Sequence, residues 1–189
     1  DGLVNSTDFF EFLNDFFDRE IDSRERPERP IPSGRVGATA VLVAGTLQLG
    51  LGIGLLAAAS WQKGLAQALA AGFALALAIV VYDRWHKKNP AAPYLMGLCR
   101  ALVYVVAGLA ATSTLPGAVL AGAALLFLYV VGLTFAARFR WRGIGLLIAG
   151  ISLLDASLIA VHAPALLPLL FAIGCFALTR ILQRFVSGT

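Results

Sequence analysis

Six long apolar segments constrain this chain more than any other feature of its sequence. They fall at about 36–58, 65–82, 94–112, 115–135, 143–161 and 164–182. Each is close to the roughly 20 residues that an α-helix needs to cross about 30 Å of hydrocarbon. Helices are expected because a bilayer interior offers no partner for an unpaired backbone amide. The sequence therefore predicts an all-α protein, a polytopic transmembrane helical bundle with about six spans.

The composition excludes the common soluble classes. Hydrophobic residues make up 59% of the 189 positions and charged residues 14%, whereas a soluble domain has about 25% charged residues. Disorder requires low hydrophobicity, and a membrane β-barrel requires alternating segments of about ten residues. The net charge of +4 comes from short basic clusters between the apolar segments, which argues against nucleic acid as a partner.

Basic residues alternate along the hydrophilic segments. From the N-terminus to the C-terminus, these segments carry 5, 1, 3, 0, 3, 0 and 2 lysines and arginines. By the positive-inside rule, residues 1–35, the loops at 83–93 and 136–142 and the C-terminus are expected to be cytoplasmic. We predict an integral protein of a bacterial inner membrane, with a cytoplasmic acidic helix and loop (1–35) before the bundle (36–189). His86 is expected to face lipid headgroups.

Carboxylates are concentrated near the N-terminus. Nine of the eleven acids lie in residues 1–28, and the other two are Asp83 and Asp155. Asp155 lies within the fifth apolar segment and is predicted on the opposite side of the membrane. Two roles are open for it, a structural hydrogen bond to a neighbouring helix or a part in a site. Tyr104, in the middle of the third segment, is expected to pack rather than react.

The acidic residues of the N-terminal segment follow a helical spacing. On a helix, Asn14, Asp18 and Asp22 form one polar stripe, because they are spaced i, i+4 and i+8. Such oxygen donors suit Mg²⁺, which takes one or two carboxylates and bridges to substrate phosphates. The alternative is a solvated acidic face that pairs with Arg19 and Arg24.

The segment after this stripe is rich in proline and arginine. It reads Glu-Arg-Pro-Glu-Arg-Pro-Ile-Pro-Ser-Gly-Arg from residue 25 to residue 35. Three prolines in six residues exclude a continuous helix, so a stiff loop that ends near Gly34 is predicted. Guanidinium groups bind phosphate oxygens in a bidentate manner, so arginines beside metal-binding carboxylates suggest a lipid diphosphate. The alternative is that these arginines only anchor a cytoplasmic loop.

These two features together resemble a known motif. The pattern Asn14-Asp15-x-x-Asp18-x-x-x-Asp22, followed by Arg-Pro-Ile-Pro-Ser-Gly-Arg, is similar to the first aspartate-rich motif of the UbiA superfamily of intramembrane prenyltransferases. The likeness is strongest to its chlorophyll-synthase-like and EboC-like members. Residues 82–87 and 96–100 resemble the middle region of the EboC-like branch.

The resemblance implies an activity and a set of site residues. Members transfer a prenyl group from a prenyl diphosphate to an acceptor, often aromatic, and Mg²⁺ on two aspartate-rich motifs holds the diphosphate. Carried over to this chain, the expected metal ligands are Asn14, Asp18 and Asp22, with Asp15 as a helper. The expected catalytic residues are Asp18, Asp22 and Lys87. The expected substrate-binding residues are Arg26, Arg35 and Tyr82. Arg100, five or six residues inside its apolar segment, is a further expected substrate-binding residue; the alternative is that its side chain extends to the membrane surface. The expected partners are a prenyl diphosphate, a small acceptor and membrane lipid.

Two departures from the family pattern bear on the activity. The family fold has about nine helices, and the motif ends the second. The sequence is therefore expected to be N-terminally truncated and to have little activity alone. The second acidic motif is expected after the helix at 115–135, but residues 134–142 hold three arginines and no acid. Three alternatives are open: one metal site is lost, Asp83 substitutes for the missing acid, or the arginines bind phosphate directly. The alternative function is a non-catalytic relative that binds or translocates a lipid or aromatic precursor.

Overall fold

The computed structural model describes residues 12–62, 64–87, 89–112, 114–162 and 165–183. The described chain forms α1 (Phe12–Glu25), α2 (Ala38–Ser60), α3 (Leu65–Trp85), α4 (Ala92–Ala111), α5 (Gly117–Arg138), α6 (Ile144–His162) and α7 (Leu166–Leu182). Within these ranges there is no β-strand. The prediction of an all-α protein is confirmed.

The six predicted apolar segments correspond to α2 through α7, with ends that differ by three residues or fewer. Five of these helices, α2 to α6, are long and apolar enough to cross a membrane. The sixth, α7, has 17 residues and is shorter than the others. The described residues therefore contain five clear candidate spans and one short apolar helix.

Large apolar side chains cover the outside of these helices. On α2, Leu47, Leu51 and Leu55 are 68%, 64% and 63% exposed, and their spacing places them on one face. Contiguous exposed apolar surface of this extent is unfavourable in water. In a bilayer the same surface is covered by lipid, so the chain is an integral membrane protein.

Helices that are neighbours in sequence pack against one another, and α1 lies against both α2 and α3. Glycines allow the closest approaches. A Cβ on Gly97 of α4 would lie 3.0 Å from the backbone oxygen of Phe127 in α5. A Cβ on Gly45 of α2 would lie 2.9 Å from the Cγ of Leu13 in α1. The second approach is the one that seats α1 on the bundle.

Three polar contacts gather the basic segments at one end of the bundle. The Nζ of Lys87, after α3, lies 3.0 Å from a carboxylate oxygen of α1. Arg138, at the end of α5, donates a 2.6 Å hydrogen bond to the backbone oxygen of Asn89. Gln183, after α7, donates a 2.9 Å hydrogen bond to the backbone oxygen of Gly145. We call this the motif end, and it collects the segments that the charge count predicted on one side.

Candidate functional site

Two buried carboxylates on α1 form the centre of the candidate site. Asp18 and Asp22 are 5% and 4% exposed, although the same helix carries several exposed charged residues. They lie one turn apart on the stripe that begins at Asn14. Because α1 packs on α2 and α3, this stripe faces the bundle rather than bulk solvent.

Two basic side chains compensate these carboxylates. The Nζ of Lys87 lies 3.0 Å from Oδ2 of Asp18 and 3.6 Å from Oδ1 of Asp22. The Nη1 of Arg29 lies 2.8 Å from Oδ2 of Asp22 and 3.3 Å from Oδ1 of Asp15. A carboxylate buried without such partners is strongly unfavourable. The pairs therefore explain how an acidic helix packs at the edge of an apolar bundle.

His86 also faces the acidic helix. Its Nε2 lies 3.8 Å from Oδ2 of Asp18, and its ring stacks on Tyr82 with centroids 5.0 Å apart and planes at 22°. The expectation that His86 faces lipid headgroups is wrong. The reason is its position one helical turn after Tyr82, which places both rings on the face of α3 that meets α1.

A cavity of about 510 Å³ lies beside this cluster, within the size range of small-molecule sites. Side chains from α1, α2, α3 and α4 line it. Its polar lining residues are Asn14, Gln48, Tyr82, Asp83 and His86. The first residue of the acidic stripe thus opens onto the same space as the end of α3.

Three predicted substrate-binding arginines lie outside this cluster. Arg26, Arg35 and Arg100 are exposed, and none of them lines the cavity. The side chain of Arg35 donates a 3.1 Å hydrogen bond to the backbone oxygen of Glu28 in its own loop. The structure therefore brings Asn14, Tyr82 and the Asp18–Asp22–Lys87 group together, and it does not bring these arginines to them.

Arg29 is the functional candidate that the sequence analysis did not single out. It was counted only as one of several arginines in the loop, and the alternative pairing considered there used Arg19 and Arg24. In the structure, turns between residues 26 and 34 fold the loop back on itself. This fold aims Arg29 at α1, whereas Arg24 is exposed and Arg19 approaches its neighbour Glu20 at 3.7 Å.

The oxygen atoms of Asn14, Asp18 and Asp22 could supply part of the coordination shell of Mg²⁺. Among the described residues, no group of three or more His, Cys, Asp or Glu side chains is placed to hold a metal ion. Asp18 and Asp22 nevertheless supply two adjacent carboxylates, and Asn14 supplies an amide oxygen nearby. Mg²⁺ commonly takes one or two carboxylates, several waters and substrate phosphates. The residues therefore fit a metal whose remaining ligands come from a diphosphate and water.

The loop after α5 carries the three arginines that stand where the second acidic motif was expected. Arg138, Arg140 and Arg142 are exposed. Arg138 is anchored to the backbone of Asn89, which places this basic loop against the loop that contains Lys87. Asp83, the predicted substitute carboxylate, lines the cavity together with Asn14.

Comparison with known proteins gives matches to one family. The model of the UbiA prenyltransferase family matches residues 9–140, which include α1 through α5. A stretch of 49 residues is 55% identical to the digeranylgeranylglyceryl phosphate synthase of Ignicoccus hospitalis, covering 22% of this chain and 16% of the relative. The protein of the same name from Methanothrix thermoacetophila is 61% identical over 31 residues, covering 16% and 12%. No solved structure matches the chain significantly.

The matches to the relatives are short, whereas the match to the family model is long. The chain matches 16% or less of the length of these two relatives, so they show likeness over short stretches only. The family match, in contrast, covers more than half of the chain and includes the acidic helix, the proline-rich loop and Lys87. This chain therefore belongs to the UbiA prenyltransferase family.

Proposed function

We propose that this protein transfers a prenyl group from a prenyl diphosphate to a small acceptor within the membrane, with Mg²⁺ as its cofactor. The observation that carries the proposal is the burial of Asp18 and Asp22 against Lys87 of another helix end. An acidic face that only interacts with solvent would not hold two carboxylates in this position. Family membership supports the reaction class.

The diphosphate is proposed to bind between the acidic stripe and Lys87. Asn14, Asp18 and Asp22 would hold the metal, which when bound neutralises the charge that grows on the leaving diphosphate. Lys87 and Arg29 already face these carboxylates, so both can donate hydrogen bonds to diphosphate oxygens. Arg26 and Arg35 are proposed as further contacts from the exposed loop.

The cavity beside Tyr82 is the proposed place for the first carbons of the prenyl chain. Breaking the bond to diphosphate leaves an allylic cation, which an aromatic ring face attracts. Tyr82 is stacked on His86 at the cavity wall, so its orientation is restrained. Apolar lining residues such as Ile79 and Met96 exclude water that would otherwise capture the cation.

The acceptor is proposed only as a class. We expect a small molecule, aromatic by resemblance to the family. The name of the two relatives adds a second class, a prenylated glyceryl phosphate, and exposed arginines such as Arg138 and Arg140 suit a phosphate.

The motif end is proposed to face the cytoplasm, because it carries the basic loops. The relatives are archaeal, so the expected bacterial inner membrane has no support from them.

The test uses the purified full-length protein in nanodiscs. Mg²⁺, geranylgeranyl diphosphate and either acceptor class are supplied, and the release of diphosphate is measured. Asp18→Asn is expected to lower the rate about 100-fold, since electrostatic stabilisation of the leaving group is lost. Glu20→Gln, at an exposed acid on the same helix, is the matched control and should retain the rate. Equal rates for wild type and Asp18→Asn would contradict the proposal.

A non-catalytic relative is the second candidate function. The absence of any acid from residues 134–142 favours it, because the family places its second acidic motif there. Binding of a fluorescent prenyl diphosphate analogue, with and without Mg²⁺, separates the two. Mg²⁺-dependent binding that Asp18→Asn abolishes, without diphosphate release for any chain length or acceptor, would favour this second candidate.

A further inference from the structure

A second cavity lies between α4, α5, α6 and α7. Its volume is about 630 Å³. Its walls are mostly apolar, and the side chains with a hydroxyl, carboxylate or thiol are Tyr104, Ser152, Asp155 and Cys175. None of the described residues that line it is basic. More than half of its lining residues come from α6 and α7, which lie beyond the stretch that matches the family.

Among the described residues, Asp155 has one hydrogen-bond partner in this cavity. The hydroxyl of Tyr104, on α4, donates a hydrogen bond to Oδ1 of Asp155, on α6. This contact is the structural role that the sequence left open as one of two. It engages a single oxygen, and Oδ2 of Asp155 has no hydrogen-bond partner among the described residues.

Ser152 presents a second polar group without a partner. It lies three residues before Asp155, so both side chains occupy one face of α6, and both line the cavity. No described residue hydrogen-bonds the Ser152 hydroxyl. Ser157 on the same helix instead donates a 2.8 Å hydrogen bond to the backbone oxygen of Leu153, the usual arrangement in an apolar helix. Unpaired polar groups within a membrane span are costly, so this pair indicates a ligand.

We infer that this cavity binds an amphiphile whose head group is a hydrogen-bond donor, an alcohol or an amine, held by Asp155 and Ser152. Val103 and Phe171, on its wall, are 47% and 73% exposed, so the cavity opens on a surface that lipid covers. The ligand therefore enters from the membrane, with its apolar body against the apolar walls. Carboxylate head groups are excluded, because they have no hydrogen to donate to Asp155 and the described lining offers no cation.

Binding in this cavity can be measured through the reactivity of the Cys175 thiol, which lies on the cavity wall. The sequence has two cysteines, so Cys99→Ala leaves Cys175 as the only thiol. In nanodiscs of neutral lipid, the rate at which N-ethylmaleimide modifies Cys175 is followed with dodecylamine, dodecanol or dodecanoate at equal membrane mole fractions. The amine and the alcohol should slow the reaction, by about fivefold at four times Kd. Dodecanoate should not. Equal protection by all three, or by none, overturns the inference.

Two serine variants make the test specific. Ser152→Ala should raise the Kd for dodecanol about fivefold, which corresponds to one lost hydrogen bond. Ser157→Ala removes a hydroxyl from the same helix outside the cavity lining and should leave protection unchanged. Both substitutions are small, and a monodisperse elution profile confirms folding. Identical protection in the two variants contradicts the inference. Asp18→Asn should have no effect here, so the outcome is independent of the proposed prenyl transfer.

Discussion

The acidic cluster at the motif end and the cavity around Asp155 both remove carboxylates from water, but they compensate the charge differently. Asp18 and Asp22 share the cations of Lys87 and Arg29. Among the residues that the structure describes, Asp155 has one donor, the neutral hydroxyl of Tyr104. The first group lies where basic loops converge, and the second lies among membrane spans.

The difference follows from what each region can supply. A lysine or arginine at the membrane edge keeps part of its side chain hydrated, so the cost of bringing a cation to the carboxylates is small. A cation deep in a span would lose its hydration, whereas a tyrosine hydroxyl brings a hydrogen bond without a charge. The cluster therefore fits the proposed binding of a metal and a diphosphate, and the cavity fits the inferred ligand that donates hydrogen bonds.

The largest expected effect comes from removing the shared cation. Lys87→Met leaves two buried carboxylates with less compensation and should lower the free energy of unfolding by about 2–3 kcal/mol. The loss is below that of a fully buried pair because the Lys87 side chain is 32% exposed. Thermal unfolding in nanodiscs measures it, with Arg84→Met as the control, since Arg84 is exposed at the same helix end. Equal midpoints for the two variants would show that the cluster is solvated.

The neutral pair in the span should respond differently to single and double substitution. Tyr104→Phe leaves Asp155 without its donor and should cost about 1–2 kcal/mol. Tyr104→Phe combined with Asp155→Leu removes both polar partners and should recover most of that loss. Unfolding midpoints of the two variants test the prediction. A double variant that is less stable than the single one would mean that Asp155 has a second partner.

The docking of α1 depends on Gly45 of α2, and replacing this glycine should change the free energy of unfolding by about 1 kcal/mol. Gly45→Ala places a Cβ 2.9 Å from Leu13, so α1 must shift and stability falls by about 1 kcal/mol. Gly52→Ala, on the same helix, meets no atom within 4 Å and should stabilise by up to about 1 kcal/mol. Faster tryptic cleavage at Arg19 in the first variant alone would locate the change at α1. Similar cleavage in both would contradict this docking.

The smallest change in stability is expected for substitution of Glu20, an acidic residue that is exposed. Glu20 lies 3.7 Å from Arg19, and its side chain is 84% exposed. Exposed pairs of this kind contribute less than about 0.5 kcal/mol, so Glu20→Gln should leave the unfolding midpoint nearly unchanged. Asp22→Asn, two residues along the same helix, should lower it measurably because Asp22 is buried. Equal effects at the two positions would remove the distinction between the buried stripe and the exposed face of α1.

Hydropathy and helical spacing could predict much of this protein. Each apolar segment of the sequence is a helix in the structure, because the cost of an unpaired backbone in lipid leaves no other choice. The spacing of Asn14, Asp18 and Asp22 likewise predicted a single polar stripe. Neither hydropathy nor helical spacing could predict which basic side chains pair with this stripe. Lys87 lies 65 residues beyond Asp22 in sequence, and only the docking of α1 against α3 brings them together.

The sequence alone determined the number of apolar helices, the end of the bundle that carries the basic loops and the polar stripe of α1. These properties are local, since they depend on composition and on the period of the α-helix. The tertiary structure decided that Arg29 and His86 face the carboxylates, that Tyr104 meets Asp155, and that the cavity beside Asn14 is separate from the cavity around Asp155. Those facts depend on which helix faces approach one another, and helices that pack in lipid are selected by shape and hydrogen bonding rather than by hydropathy.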